Sequence, residues 1–296
     1  REWLDWRYFS CPLHRYRALT ARRSGRLEGY LVYRFDEEHR YGFVADLLTR
    51  PRAEAAGRAI DLSHQSGCDL YIVHTTCEEA LNRVKAATSR NQKVHVETCI
   101  QYLLLDESYY FKDGFEGAKV VMSPPLRKKK DQEALWAGIN QNLIHHVATD
   151  HCPFCMEQKE MGKDNFSKIP NGAPGIENRM ELLYSEGVAK GRISLNKFVE
   201  MSSTGAAKIF GLFPRKGTIA VGSDADIVVF DPEVNHTISA ETHHMNVDYN
   251  PYEGWEVQGK ARTTILRGTV AVDEGVAHVG EGFGKYLKRP PFTARF

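Results

Sequence analysis

The chain has almost no excess charge, few cysteines and no long apolar run. Its 39 basic and 38 acidic residues leave a net charge of +1 over 296 residues, which gives no bulk electrostatic argument for a nucleic-acid or membrane partner. No apolar stretch approaches the roughly 20 residues that cross a bilayer, and no charged-then-apolar leader opens the chain, so the default compartment is the cytoplasm. Six cysteines, at 11, 68, 77, 99, 152 and 155, are too few and too scattered for a disulfide-stapled secreted fold. Cys152-Pro-Phe-Cys155 has the two-residue spacing of a zinc or redox pair, but the second pair of a structural zinc site is missing. Two half-buried thiols in a loop are expected there. Lysine is absent until Lys85, and residues 1–48 carry nine arginines, five tyrosines and no run with a clear helical or strand period. Acids at Glu28, Asp36, Glu37 and Glu38 dilute that basic charge, which argues against a nucleic-acid tail.

What is present reads as a soluble α/β protein. Hydrophobic residues make up 42% and charged residues 26%, ordinary for a globular chain. The length suits one large domain plus a small one, or a piece of something larger. From Arg52 the pattern becomes regular. Helices are expected over 53–66, 78–88 and 131–140, and strands over 69–74, 93–98 and 143–149, with short extended pieces at 103–105 and 120–122. Strands alternating with helices are the signature of parallel βα units. A loop rich in glycine, proline and asparagine follows to Gly175, and long loops of this kind are often functional. Further helices are expected over 177–190, over 194–201 with Ser194 as cap and Leu195, Phe198 and Val199 on the core face, and over 204–210 with Gly211 as the stop. The texture then changes to an apolar strand at 227–230 and a hairpin-like pair, 263–266 and 269–272, around Arg267-Gly268.

Two apolar runs, Leu70 to Val73 and Leu143 to Ala148, each deliver a polar residue near the place where the run stops. In a barrel of parallel strands that place is the C-terminal rim, where catalytic residues collect. His74 and Asp150 are therefore candidate members of one site. Taken alone, His74 could be a hydrogen-bonded loop residue and Asp150 could cap the following turn. His145 and His146 precede the rim and are expected inside or beside the strand. His243-His244 is expected in structure or subunit contacts, and Lys128-Lys129-Lys130 as a solvated helix start.

Several stretches together carry a family pattern: VHTTC, HVETC-x-QYL, SPPLR, TDHCPF, GKDNFSKIPNG, GIENRM, KFVEMSSTGAAKIFGLFPRKGTIAVGSDADIVVFDP and ISAETHHMNVDYNPYEG. From about Thr49 to Arg289 the chain resembles the hydantoinase and dihydropyrimidinase branch of the amidohydrolase superfamily, metal-dependent enzymes that open cyclic amide or ureide rings. The resemblance implies a distorted (β/α)8 TIM barrel with a β-sandwich built from both chain ends. It further implies two zinc ions that lower the pKa of a shared water, a small cyclic ureide or amide as substrate, and a homo-oligomer. His74 matches a histidine ligating one metal. Asp150 matches the carboxylate that ligates the other and exchanges a proton with the bridging hydroxide. Ser123 and Asn171 match residues whose backbone groups hold the ring amide.

The family also needs a His-x-His pair, a carboxylated lysine and a further histidine upstream of position 74. Upstream histidines are only His14, His39 and His64, and no lysine precedes Lys85. Tyr30, Tyr33 and Tyr41 offer no assignable oxyanion tyrosine. The expectation is an α/β chain forming the second half of the barrel over 49–213, with a β-rich module and tail over 214–296 and an atypical segment over 1–48. By itself it is expected not to be competent. The alternative is a non-catalytic scaffold of the collapsin-response-mediator kind, which works through oligomer contacts.

Overall fold

The computed structural model describes residues 17–23, 26–36, 41–49 and 54–288. His14, His39, Cys11 and the aromatic residues before position 10 lie outside the described residues. Contacts divide the chain into two compact units. One holds the N-terminal part through Leu70 with Asn82–Val94, and the other holds Tyr71–Leu81 with His95 onward.

In the first unit, strands β1 (Arg17–Arg23), β2 (Arg26–Asp36) and β3 (Tyr41–Thr49) form an antiparallel meander. This corrects the expectation that the N-terminal segment lacks a strand pattern. The register shifts between Ala21 and Arg22 and between Val32 and Tyr33. Each bulge adds a residue that breaks the period-two alternation by which a strand is recognised. Helix α1 (Glu54–Ser66) follows. It buries Ile60, and Gln92 Nε2 donates to the Ile60 carbonyl at 2.7 Å.

A three-stranded sheet, in the larger unit but for Leu70 and Val94, has the order β4 (Leu70–Ile72), β5 (Val94–Cys99) and β6 (His146–Ala148), with β5 and β6 parallel and Glu97 opposite His146. Strand β4 is shorter than expected and half-buried. Among the described residues it pairs on one side only, so it is an edge strand whose outer face is not packed in a sheet. Helix α2 (Glu78–Thr88) has the bounds its periodicity predicts. The expected extended piece at 103–105 is instead the end of helix α3 (Ile100–Leu104), and the one at 120–122 adjoins a 3-10 turn, Glu116–Val120. Ile100, Gln101, Tyr102 and Leu103 are all buried. A helix covered on every side shows no amphipathic period and imitates a buried strand.

Helix α4 (Lys129–Asn140) starts behind exposed Lys128. Buried Asp131 fixes two helix starts: Oδ2 accepts from Lys128 N–H at 3.2 Å, and Oδ1 accepts from Glu78 N–H at 3.0 Å. Acceptors at these positions satisfy N–H groups that a helix leaves unpaired. Leu135 and Ile139 are fully buried, as are Val147 of β6 and, further along the chain, Leu182 and Leu183.

The long loop after β6 contains a short helix, α5 (Met156–Glu160), and a 3-10 turn at Phe166–Lys168. Helix α6 (Arg179–Leu183) runs into a π-helical turn, Tyr184–Ala189. Helix α7 (Leu195–Val199) is capped as expected, with Ser194 Oγ accepting from Lys197 N–H at 3.1 Å. Phe198 is buried, but Leu195 and Val199 are exposed, correcting two of the three core positions. A π-helical turn, Glu200–Thr204, shifts the helical phase before helix α8 (Gly205–Ile209). A residue spacing of 3.6 cannot be carried through such a turn. A Cβ at Gly205 would stand 2.1 Å from the His145 carbonyl oxygen, so only glycine lets this helix press on the chain entering β6.

The last sheet has order β10 (Val276–Ala277), β9 (Thr269–Asp273), β8 (Glu256–Leu266) and β7 (Ile227–Thr237). The expected hairpin forms between β8 and β9. Arg267 and Gly268 both have positive φ, 50° and 79°, the requirement of the two-residue turn that matches strand twist. Tyr249 and Tyr252 of the DYNPYEG stretch are buried within this same chain, where Tyr249 Oη donates to the Lys119 carbonyl at 3.2 Å.

Candidate active site

His74 and Asp150 stand just past the ends of β4 and β6 with φ of 39° and 47°. Left-handed backbone is uncommon in residues other than glycine and is enriched where surrounding structure holds a functional group in place. At the first position Glu97 Oε1 accepts from His74 N–H at 3.2 Å, and the Glu97 carbonyl accepts from Thr75 N–H at 2.8 Å. Buried Thr98 Oγ1 donates to the Thr75 carbonyl at 2.7 Å, so β5 clamps the turn from beneath. At the second position Gln101 Nε2 donates to the Thr149 carbonyl at 2.9 Å, and His151 Nδ1 accepts from Gly175 N–H at 3.2 Å. The backbone on either side of Asp150 is therefore tied down. Its carboxylate is exposed, and among the described residues neither it nor the His74 ring takes part in a hydrogen bond.

Beneath this rim lies a polar cluster that the sequence reading did not assign. The Tyr71 hydroxyl donates to Glu97 Oε2, and the Tyr71 oxygen itself lies 2.7 Å from His146 Nε2. With the phenol proton directed at Glu97, His146 must carry its proton on Nε2. Burial pushes the His146 pKa down against the opposing charge of Glu97, and burial followed by the Glu97 hydrogen bond and charge pushes the Tyr71 pKa up. Phe210 packs edge-on against Tyr71 with ring centroids 5.4 Å apart, and against His146 at 5.9 Å. The charges of Glu97 and Asp150 both act on the Cys99 thiol, which burial first, and these carboxylates next, push well above its ordinary pKa. His145 and His146 accordingly belong in and beside the strand, as expected. The signal that could have revealed the cluster is Glu97 itself, an acid in the apolar run Val94 to Cys99 and paired across the sheet with a histidine.

Ser123 and Asn171 come together: Ser123 Oγ donates to Asn171 Oδ1 at 3.1 Å. Both line a cleft of about 550 Å³ walled by Tyr110, Phe115, Met122 and Phe166. Gly172 N–H donates to the Val121 carbonyl at 2.9 Å, joining the two segments through their backbones. Gly172 has φ of 142°, and a Cβ there would lie 2.2 Å from the Cys152 carbonyl oxygen. Behind the segments sits Lys159 of α5, also unassigned from sequence, with no exposed surface. Burial pushes its pKa down to about 8. Cys152 is exposed and Cys155 half-buried, and both are free thiols.

Among the described residues no three His, Cys, Asp or Glu side chains gather in a geometry that holds a metal ion. His74 and Asp150 supply two donors, fewer than the three or four protein ligands usual for one zinc. No helix among the described residues is long and apolar enough to cross a membrane.

The model of the Amidohydrolase family matches residues 50–271. The chain is 47% identical to a D-hydantoinase from Geobacillus stearothermophilus over 275 residues, covering 92% of this chain and 58% of that protein. A solved D-hydantoinase from Bacillus sp. AR9 superposes with a TM-score of 0.80 at 54% identity, covering 81% of this chain and 53% of the other. A solved dihydropyrimidinase from Brevibacillus agri gives 0.81 at 52% identity, covering 82% and 53%. The chain thus spans a little over half the length of these relatives. Its clamped strand ends, its parallel strands and the likeness over three quarters of its length lead to one assignment: the chain belongs to the amidohydrolase family, alongside the hydantoinases and dihydropyrimidinases.

Proposed function

We propose that this chain is the C-terminal portion of a cyclic amidohydrolase, contributing the second half of a distorted TIM barrel over residues 49–213 and part of a small β-sandwich over 214–296. The reaction is hydrolysis of a C–N bond in a dihydropyrimidine or hydantoin ring. Water oxygen adds to the ring carbonyl carbon, the carbon–nitrogen bond breaks, and a proton of the water passes to the departing nitrogen. Asp150 is the base that takes that proton and returns it. Ser123 and Asn171 hold the ring amide through their backbone groups. His74 and Asp150 are ligands of a two-zinc centre in the complete protein, but the donors described in this chain do not complete that centre.

The observation that carries the reading is the pair of left-handed residues just past the ends of β4 and β6, a histidine and an aspartate of the types the chemistry needs, each with its backbone tied in place. Support for the ring-binding role comes from the contact between Ser123 and Asn171 at the mouth of one cleft.

The test is an assay of the purified chain, supplied with zinc or manganese, against dihydrouracil and hydantoin, beside its Asp150→Ala variant. The expected result is no turnover by the chain alone, with hydantoin shifting the backbone amide resonances of Ser123 and Asn171. Turnover that disappears in Asp150→Ala would overturn the partial-barrel reading. Amide resonances indifferent to both rings would overturn the substrate assignment and favour a scaffold.

A further inference from the structure

Lysine is seldom fully buried without a charged partner, yet Lys159 has no exposed surface. Its ammonium is received by three main-chain carbonyls: Pro170 at 2.7 Å, Gly172 at 2.7 Å and Val121 at 3.2 Å. An ammonium has three N–H donors and no acceptor, so every donor is satisfied and none is spare. The Phe154 ring lies below, 5.5 Å from Nζ to its centroid.

The choice of acceptors is informative. Pro170 and Gly172 are the two neighbours of Asn171, and Val121 lies two residues before Ser123. A single point charge therefore grips both segments that carry the ring-binding candidates. The Gly172 N–H bond to the Val121 carbonyl at 2.9 Å runs alongside it, so Val121 O accepts from both the lysine and the opposite segment. An apolar side chain in place of the lysine would leave the Pro170 and Gly172 carbonyls facing it without this donor, and buried carbonyls without partners recruit water or move.

We propose that Lys159 is a positioning residue: its ammonium holds segment 121–123 against segment 170–172 so that the backbone groups of Ser123 and Asn171 present a fixed edge to a ring amide. This rests on the proposed ring-binding role of those two residues. Lys159 does not touch the ring, and it acts through the spacing of the two segments. The shape it holds cannot be supplied by side-chain packing alone, because Gly172 must remain without a Cβ to pass Cys152.

The experiment is amide hydrogen exchange and hydantoin titration, followed by NMR, on the wild-type chain and the Lys159→Met and Lys159→Arg variants. In Lys159→Met the Gly172 amide is expected to exchange at least about tenfold faster while the Val96 and Leu135 amides keep their wild-type rates. Hydantoin binding weakens by about tenfold, and arginine, which keeps the charge, restores part of both. Uniform loosening of the core together with Gly172 would show a general structural role and overturn the proposal, as would Gly172 exchange at the wild-type rate. Faster Gly172 exchange in a protein whose wild type binds no hydantoin supports the tie and removes the ring-binding reading instead. Should Lys159→Met not fold, the wild-type ammonium decides. A slowly exchanging Lys159 NH₃⁺ signal coupled across hydrogen bonds to the three carbonyl carbons supports the tie, and a rapidly exchanging, uncoupled one refutes it.

Discussion

At position 145 the imidazole Nδ1 accepts from Val96 N–H at 3.1 Å, and burial, then the neighbouring His95, push its pKa down to about 4. The ring is thus neutral in the folded chain at pH values where an unfolded histidine, near 6.5, takes a proton. The unfolded state binds the extra proton between those values, so the stability present above about pH 6.5 is lost progressively as pH falls toward 4. The loss reaches roughly 3 kcal/mol at one pKa unit per 1.36 kcal/mol. Urea unfolding at pH 7 and at pH 4.5 measures it, and His145→Gln is expected to reduce the difference, with His146 and His151, both depressed by burial, keeping the remainder. At this scale the sequence offered His74 and Asp150 as candidates, and both stand with positive φ just past strand ends. Glu97 and Lys159 escaped because their meaning lies in what they touch. Nothing in the letters surrounding a lysine says that it faces three carbonyls rather than water.

Among the elements, the close approach of α8 to β6 is the tightest fit. Gly205→Ala places a methyl group 2.1 Å from the His145 carbonyl oxygen, a distance no packed structure sustains. The helix or the strand entry has to move, and overpacking of this kind costs about 1–3 kcal/mol, sometimes more. Denaturant unfolding is expected to show a loss of that size for Gly205→Ala, accompanied by shifts in the resonances of His146 and Phe210, which share the cluster beneath the rim. An alanine tolerated with an unchanged midpoint would mean that α8 does not press on the strand. Elements with one wet and one dry face were readable, and α2 has the bounds its periodicity gives. Others were not: bulges interrupt β2 and β3, complete burial disguises α3, and the apolar but exposed Leu195 and Val199 imitate a core face.

For the molecule as a whole, family membership was readable because many short motifs fall in order along one chain, and the glycine at 172 in one of them meets a backbone need. The β5–β6 parallel pair and the β7–β10 sheet agree with it. Beyond the candidates His74 and Asp150 no metal donor was readable, and among the described residues no group of three or more potential ligands gathers. On the proposed reading these two positions serve a ring-opening centre. Its most direct test puts the matching residues of this chain in place of the aligned stretch of the Geobacillus stearothermophilus D-hydantoinase and measures hydantoin hydrolysis in the presence of zinc. The account predicts ring opening by the chimaera and its loss by about 10²–10⁴-fold in Asp150→Ala, the range for removal of a general base, with a comparable loss in His74→Ala. A folded, active chimaera whose turnover is unchanged by both substitutions would contradict it.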